Sequence, residues 1–286
     1  MPVDMKQIVA LREKTGMGVA DCKKALEDAG GDFDKAEMAL RKKGIDKAAK
    51  KADRPTGQGV IAVKIKGNVA AIVELACEQE PTTTNTRFLH TLELVLDAAL
   101  AAKVKSGEEL LAAQTPEGTV QEAVKALAGV VGENVQLRKA ATVEAPQGGA
   151  IGRYVHFNKK AAAVLAVRLE GADAANPALQ TALNDICMHA VAARPLAMDR
   201  NGIPADVIAK EKEVFAEEVK GKPDAIREKI LDGKLNKFYN ERVLVEQLYV
   251  KDPEGKTLVS QVLEQAAKAA GGKAAIVEFA RLELGL

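Results

Sequence analysis

Val69-Ala-Ala-Ile-Val-Glu-Leu-Ala-Cys-Glu-Gln-Glu-Pro-Thr-Thr-Thr-Asn-Thr-Arg-Phe88 is the stretch whose reading decides the fold. It begins as an apolar run with β-branched residues at Val69, Ile72 and Val73, which reads as a buried strand rather than a helical segment. Polarity changes abruptly at its carboxyl end, where Cys77-Glu78-Gln79-Glu80-Pro81 brings in two carboxylates and a proline. Proline lacks a backbone donor and biases Glu80 toward an extended conformation, so the tip of this loop is expected to be stiff. Thr84, Asn85 or Thr86 can then cap a helix reaching Leu100, in which Phe88, Leu92, Val95, Leu96 and Ala99 follow helical spacing. A stiff acidic loop held between a strand and a helix aims its side chains at something outside the molecule.

On the amino-terminal side of this stretch, residues 60–66 form an apolar-polar run that Gly67-Asn68 joins to Val69, a two-residue turn suited to positive φ. On the carboxyl side, helices are predicted over 106–114 and 119–130, followed by a strand near 139–144. The pattern then recurs. Residues 151–157, a polar Asn158-Lys159-Lys160 turn and residues 161–169 repeat strand, turn and strand, and a helix over 179–193 carries Leu183, Ile186, Cys187 and Ala190 on one face. Two hairpin-plus-helix units imply an internally duplicated α+β core. Charged amphipathic helices over 207–219 and 223–239, joined by Lys220-Gly221-Lys222, predict an antiparallel helical hairpin. In it Ile208, Val214, Phe215 and Val219 would face Ile226, Ile230, Leu231 and Leu235. A helix from Lys256 and a strand over 274–284 follow.

Residues 5–44 read as three short helices. Ile8 and Leu11 share one face of the first, Thr15-Gly-Met-Gly18 breaks it, residues 21–29 form the second, and Gly30-Gly31 ends it. Asp32 caps the third, which Phe33, Ala36, Ala39 and Leu40 line and Gly44 closes. So few large apolar groups make a marginal core, as expected of a docking module. Residues 45–59 alternate charges and then turn Pro/Gly-rich, which predicts a frayed helix passing into a flexible, solvated joint. Its basic side, Lys42, Lys43, Lys47, Lys50, Lys51 and Arg54, is diluted by Asp46 and Asp53, and it contains no aromatic residue to stack on a base.

The amino-terminal run Leu11-Arg-Glu-Lys-Thr-Gly-Met-Gly-Val-Ala-Asp-Cys-Lys-Lys-Ala-Leu26, followed by Gly31-Asp32 and Leu40-Arg-Lys-Lys-Gly44, resembles the opening of the bacterial translation elongation factor Ts family. The resemblance continues through the duplicated core, Met188-His-Ala-Val-Ala-Ala-Arg-Pro195 and Glu246-Gln-Leu-Tyr-Val-Lys-Asp-Pro253. It implies a ubiquitin-associated-like three-helix domain over 1–44, a linker over 45–58, a first core subdomain over 59–145, and a second over 146–286 that includes a projecting helical hairpin at 205–240. It also implies guanine nucleotide exchange on elongation factor Tu, with no catalytic acid or base and no cofactor. The alternative is a degenerate paralogue that binds elongation factor Tu or the ribosome as a scaffold without efficient exchange. By the resemblance, Val19, Ala20 and Lys23 would face the partner's GTPase domain, although the family often carries methionines at the first two positions and this chain places Met17 nearby. Gln79, Glu80, Pro81 and Thr82 would form the loop that intrudes near the partner's Mg²⁺. There the family reads Cys-Glu-Thr-Asp-Phe-Val and this chain reads Cys77-Glu-Gln-Glu-Pro-Thr82, so Glu80 reaches one methylene further and Pro81 replaces an aromatic wedge. Val131 and Gly132, His156 in a Tyr-x-His strand, and Val250 would supply further contacts. Some members add a partner-binding helix beyond the position of Leu286, a contact this sequence would lack.

Composition agrees with a protein-binding role. The formal net charge is +1 with 28% charged residues, so no global field favours nucleic acid or membrane. The three cysteines, Cys22, Cys77 and Cys187, are dispersed and odd in number, which fits reduced thiols in a cytoplasm. No run approaches a membrane span, and the start lacks a signal peptide's apolar core. Cys77 beside Glu78, with His90, His156 and His189 elsewhere, lacks the sequence context of a known thiol nucleophile, and His189 beside an apolar helix face reads as a satisfied core or groove residue. The three cysteines and three histidines show no close ligand pairing for a metal. Gly148 to Gly152 lacks the lysine and hydroxyl of a phosphate loop.

Overall fold

The computed structural model describes residues 3–219 and 223–285. Three helices open the chain: α1 (Met5–Thr15), α2 (Val19–Asp28) and α3 (Phe33–Ala49). Asp4 and Asp32 cap α1 and α3 by accepting from the backbone N–H of Lys6 and Lys35. Their small core gathers Ile8, Leu11, Met17, Cys22, Leu26, Ala36 and Leu40.

Two three-stranded antiparallel sheets follow. The first takes the order β1 (Gln58–Lys66), β2 (Val69–Cys77), β5 (Val135–Glu144), and the second β6 (Ala150–Val155), β7 (Ala161–Glu170), β8 (Lys273–Glu283). Lys66 pairs with Val69 around Gly67, whose φ of 60° suits glycine. The central strands explain why their sequences are apolar without alternation. In β2, Val69, Ala71, Val73 and Leu75 face a helical layer, while Ala70 and Ile72 face the other sheet. In β7, Ala163, Leu165 and Val167 face helices, while Ala162, Val164 and Ala166 meet the first sheet. Each central strand is thus buried on both faces. Each unit also carries one register shift, at Glu74/Leu75 and at Ala166/Val167.

Helices cover the outer faces. On the first sheet lie α4 (Thr86–Ala102), α5 (Gly107–Leu111) and α6 (Val120–Val131), and on the second α7 (Pro177–Ala193) and α10 (Val259–Ala269). Between those two run α8 (Ala205–Glu218) and α9 (Asp224–Arg242), the arms of the helical hairpin. Its base packs Phe215 and Phe238 with Ala197, Ile203 and Val243. The connector at 220–222 lies outside the described residues. No described helix is long and apolar enough to cross a membrane.

Several local expectations change. Asn85 is the residue that caps α4. The helix expected to Gln114 stops at Leu111, and Gln114–Thr115 (β3) instead pairs with Gly118–Thr119 (β4) around Pro116-Glu117. The strand expected near 139 begins at Val135 because Leu75 to Cys77 offer it partners. In the hairpin, Val214 and Ile226 are exposed rather than packed. Helix α3 does not close at Gly44 but continues to Ala49 along α6. At that crossing a Cβ on Gly129 would lie 2.4 Å from the Gly44 carbonyl oxygen, so only glycine lets the two backbones meet. The joint after α3 is tied down, not free. Asn134 Nδ2 donates to the carbonyls of Ala52 and Arg54, Gln136 also donates to Ala52, and Arg138 reaches the Thr56 hydroxyl.

Candidate protein-docking site

Strand β2 ends at Cys77, and the chain enters a 3-10 turn over Glu80–Thr84. Proline sits at the start of that turn, where a missing N–H costs nothing. Gln79 is the extended residue, at φ −127° and ψ 144°, and Glu80 already belongs to the turn, which begins one residue earlier than Glu80's position before Pro81 suggests. The turn is reinforced from within: Thr82 N donates to the Gln79 carbonyl at 3.3 Å, Thr83 Oγ1 to Glu80 at 2.7 Å and Thr84 Oγ1 to Pro81 at 2.9 Å. Gln79, Glu80 and Pro81 are exposed, whereas Thr82 is buried. The expected four-residue tip therefore presents three side chains and turns the fourth inward.

The loop meets the turn that follows α6. Gly132 ends that helix in the left-handed region at φ 73°, and Glu133 and Asn134 lead into β5. Glu133 Oε1 accepts from the Thr82 hydroxyl at 2.6 Å, and its Oε2 accepts from Gln79 N at 3.1 Å. In return, Glu78 Oε1 accepts from Asn134 N at 2.6 Å. Arg54 stands 3.5 Å from Glu78, and the Lys51 ammonium donates to the Gly132 carbonyl. The resemblance places residues 79–82 and Val131 and Gly132 on one partner surface without linking them. The structure brings them into direct contact. Gly132 is exposed, while Val131 is half-buried against the first core.

The amino-terminal helices adjoin the same end. A Cβ on Gly16 would sit 2.8 Å from Val130 Cγ1, and the Arg87 guanidinium donates to the Glu13 carbonyl. Val19, Ala20 and Lys23 open α2 just beyond, all exposed, with Lys23 Nζ 3.8 Å from Glu27. Met17 is buried in the module's core, so it does not take the place of an outward methionine. Between this module and α4 and α6 lies a cavity of about 370 Å³ bordered by Leu40, Arg41, His90, Glu117 and Leu127. Arg41 donates to the Glu117 carbonyl at 2.5 Å, and His90 Nε2 is 2.8 Å from the Glu117 carboxylate.

The β6–β7 connection reaches this end too, because Lys160 Nζ donates to Gln58 Oε1 at 3.0 Å and Gln58 pairs with Cys77. His156 lies one residue past the end of β6 rather than within a strand, 3.1 Å from the Tyr154 hydroxyl, and Phe157 beside it is 87% exposed. Val250 is 49% exposed and donates its N–H to His189 Nδ1 at 3.2 Å. His189 is fully buried, and since Nδ1 accepts, Nε2 carries the proton toward Gln247 Oε1 at 2.9 Å. Burial holds its pKa below the ordinary histidine value against the opposing pull of that bond.

These groups do not assemble for covalent chemistry. The Cys77 thiol donates to the Gln79 carbonyl at 3.2 Å, and burial, helped by the Glu133 and Glu78 charges, pushes its pKa up to about 11. His90, His156 and His189 are each engaged elsewhere, as described. Among the described residues no three His, Cys, Asp or Glu side chains are placed to hold a metal ion. Gly152 serves packing, since a Cβ there would lie 2.6 Å from the Leu183 carbonyl of α7. What the site offers is a rigid, acidic, exposed tip with further exposed groups on neighbouring elements.

The family described as "Elongation factor TS" matches residues 82–286. Over the whole chain, the sequence is 41% identical to Elongation factor Ts of a Nitratiruptor species, covering 100% of this chain and 94% of that protein. It is 40% identical to Elongation factor Ts of Deinococcus deserti, covering 98% and 99%, and 36% identical to that of Chlorobium phaeobacteroides, covering 99% of each.

Proposed function

The chain belongs to the elongation factor Ts family, the nucleotide exchange factors of elongation factor Tu, and on that premise we propose that its exposed tip Gln79-Glu80-Pro81 is the lever that loosens GDP. Like its bacterial relatives it is a cytoplasmic protein acting without acid-base catalysis. Exchange needs none. A GTPase holds GDP through phosphates and Mg²⁺, so a partner that binds the empty form better weakens GDP by the same factor. Val19, Ala20 and Lys23, Val131 and Gly132, His156 and Val250 are proposed as docking contacts flanking the lever, with Thr82 supporting it from inside. In this division residues 1–44 dock, 45–58 connect, 59–145 carry the lever and 146–286 form the second subdomain with the hairpin at 205–240.

The observation that carries this reading is that Glu80 and Pro81 are exposed at the crest of a turn whose base is hydrogen-bonded on both sides. GDP release from elongation factor Tu, followed at rising concentrations of the chain, tests it. Glu80→Gln removes charge at nearly constant volume and should slow release, the more so when Mg²⁺ is abundant. Pro81→Phe adds bulk and should speed it. A tenfold change corresponds to about 1.4 kcal/mol. If neither variant, nor deletion of residues 79–82, alters release while the complex still forms, the tip is not the lever. If the chain binds the GTPase but releases no GDP at any concentration, it acts as a scaffold.

A further inference from the structure

We propose that Glu133 is the positioning residue of this lever: it touches neither nucleotide nor Mg²⁺, but holds the tip against the push that the partner returns. The inference rests on the tip reading above. The start of a 3-10 turn leaves backbone N–H groups without internal acceptors, and Gln79, which precedes this turn, gives no side-chain cap. Glu133 supplies the cap from 54 residues away in sequence, taking Gln79 N on one oxygen and the Thr82 hydroxyl on the other. It is a cap in trans.

The arrangement is reciprocal. Glu78, just past the end of β2, accepts from the backbone of Asn134, and Glu133, two residues before β5, accepts from the backbone of Gln79. Each segment lends a carboxylate to its neighbour's main chain, and such charge-assisted bonds are stronger than neutral ones. The Glu133 side of the clasp is anchored in turn: Asn134 Nδ2 holds the carbonyls of Ala52 and Arg54, and Lys51 holds that of Gly132. Force on Glu80 and Pro81 therefore passes through Gln79 and Thr82 to Glu133 and on to α6. A tip without this brace would yield instead of displacing its target. The brace should set how fast GDP leaves the bound complex, not how tightly the complex forms.

The test uses the full chain with GDP-loaded elongation factor Tu and reads both the maximal release rate and the half-saturating concentration. Glu133→Ala should lower the maximal rate about tenfold with half-saturation changed less than twofold. Glu133→Gln should restore most of the rate, because its amide oxygen can accept from Gln79 N while its NH₂ donates to Thr82 Oγ1. Thr82→Val, which removes one of the two bonds, should cost less than Glu133→Ala and add little to it in the double variant. The inference fails if Glu133→Ala leaves the maximal rate unchanged or moves only half-saturation. It fails also if Glu133→Gln is as impaired as Glu133→Ala, since the charge would then act on the partner directly. Should Glu133→Ala not fold, Glu133→Gln and Thr82→Val decide alone: a Gln variant near the parent rate with a slowed Val variant supports the brace, and the reverse order overturns it. Glu80→Gln and Pro81→Phe in the same assay separate the two readings. Effects there with silence at Glu133 and Thr82 sink the brace only, whereas silence at the tip sinks the lever.

Discussion

The two hairpin-plus-helix units close the loop after their central strand against the same structural neighbour, the turn ending the unit's last helix, but by different means. In the second unit the closure is made by backbone. Asp173 N donates to the Ala270 carbonyl, Gly171 bridges to Lys273, and Gly272 lies so near that a Cβ would sit 2.2 Å from Ala172 N. In the first unit the corresponding gap is spanned by the side chains of Glu78 and Glu133. The backbone zipper holds the loop at Gly171 and Asp173 and packs Ala172 and Ala174 against the second core. Two glutamate arms fix the other loop at Gln79, Thr82 and Asn134 and leave Glu80 and Pro81 exposed. The duplicated scaffold has thus been used once for closure and once for display.

That contrast can be broken most severely at the zipper. Gly272→Val forces backbone apart at Ala172 and Glu170 and should cost about 3 kcal/mol, read as a lower urea midpoint with GDP release per folded molecule little changed. The glutamate closure should be cheaper to lose and dearer in function. Glu78→Ala leaves Asn134 N without its acceptor and should cost about 1.5 kcal/mol by urea unfolding while slowing GDP release; an unaffected release rate would put the two closures on an equal footing. The second unit should also carry an acid-sensitive seam at His189. Its folded pKa lies below the unfolded value near 6.5, so the unfolded chain takes up the proton first. Stability is fully present above that value and declines as pH falls through it, and His189→Gln should flatten the fall in denaturation midpoint between pH 7.5 and 5.5. Least of all should matter the far end of the helical hairpin. With Ile226 exposed and Phe215 kept in the packed base, removing residues 217–230 and rejoining the arms should move the melting of both units by no more than about 0.5 kcal/mol.

What could be read from sequence was what neighbours in sequence decide. Gly67-Asn68 declared its hairpin, Thr119 its helix start, and the apolar run of β2 its burial. The Pro116-Glu117 turn is equally local and falls in the gap between the two expected helices, but extending the first helix to Gln114 hides the strand that pairs across the turn. What stayed hidden acts through space. Asn134 and Gln136 meet a connector that looks free by composition, and Gly44 looks like a helix end until Gly129 is found against it. The candidate site divides the same way. The exposed tip was legible from its abrupt polarity, while the inward turn of Thr82 and the part played by Glu133 depend on a contact 51 residues long.

The crossing of α3 and α6 at Gly44 and Gly129 has a consequence in time. Ala48 belongs to the core of the first sheet and Val130 to that of the opening helices, so each body keeps a side chain inside the other. Separation then cannot begin as a fray at the connector, for both bodies must open together before either side chain is freed. Amide hydrogens of α3 and α6 should accordingly exchange with solvent in step, late and as a single cohort, while those of α8 and α9 exchange early, and a partner that grips Val19 and Ala20 would be holding a handle that does not come loose during one turnover.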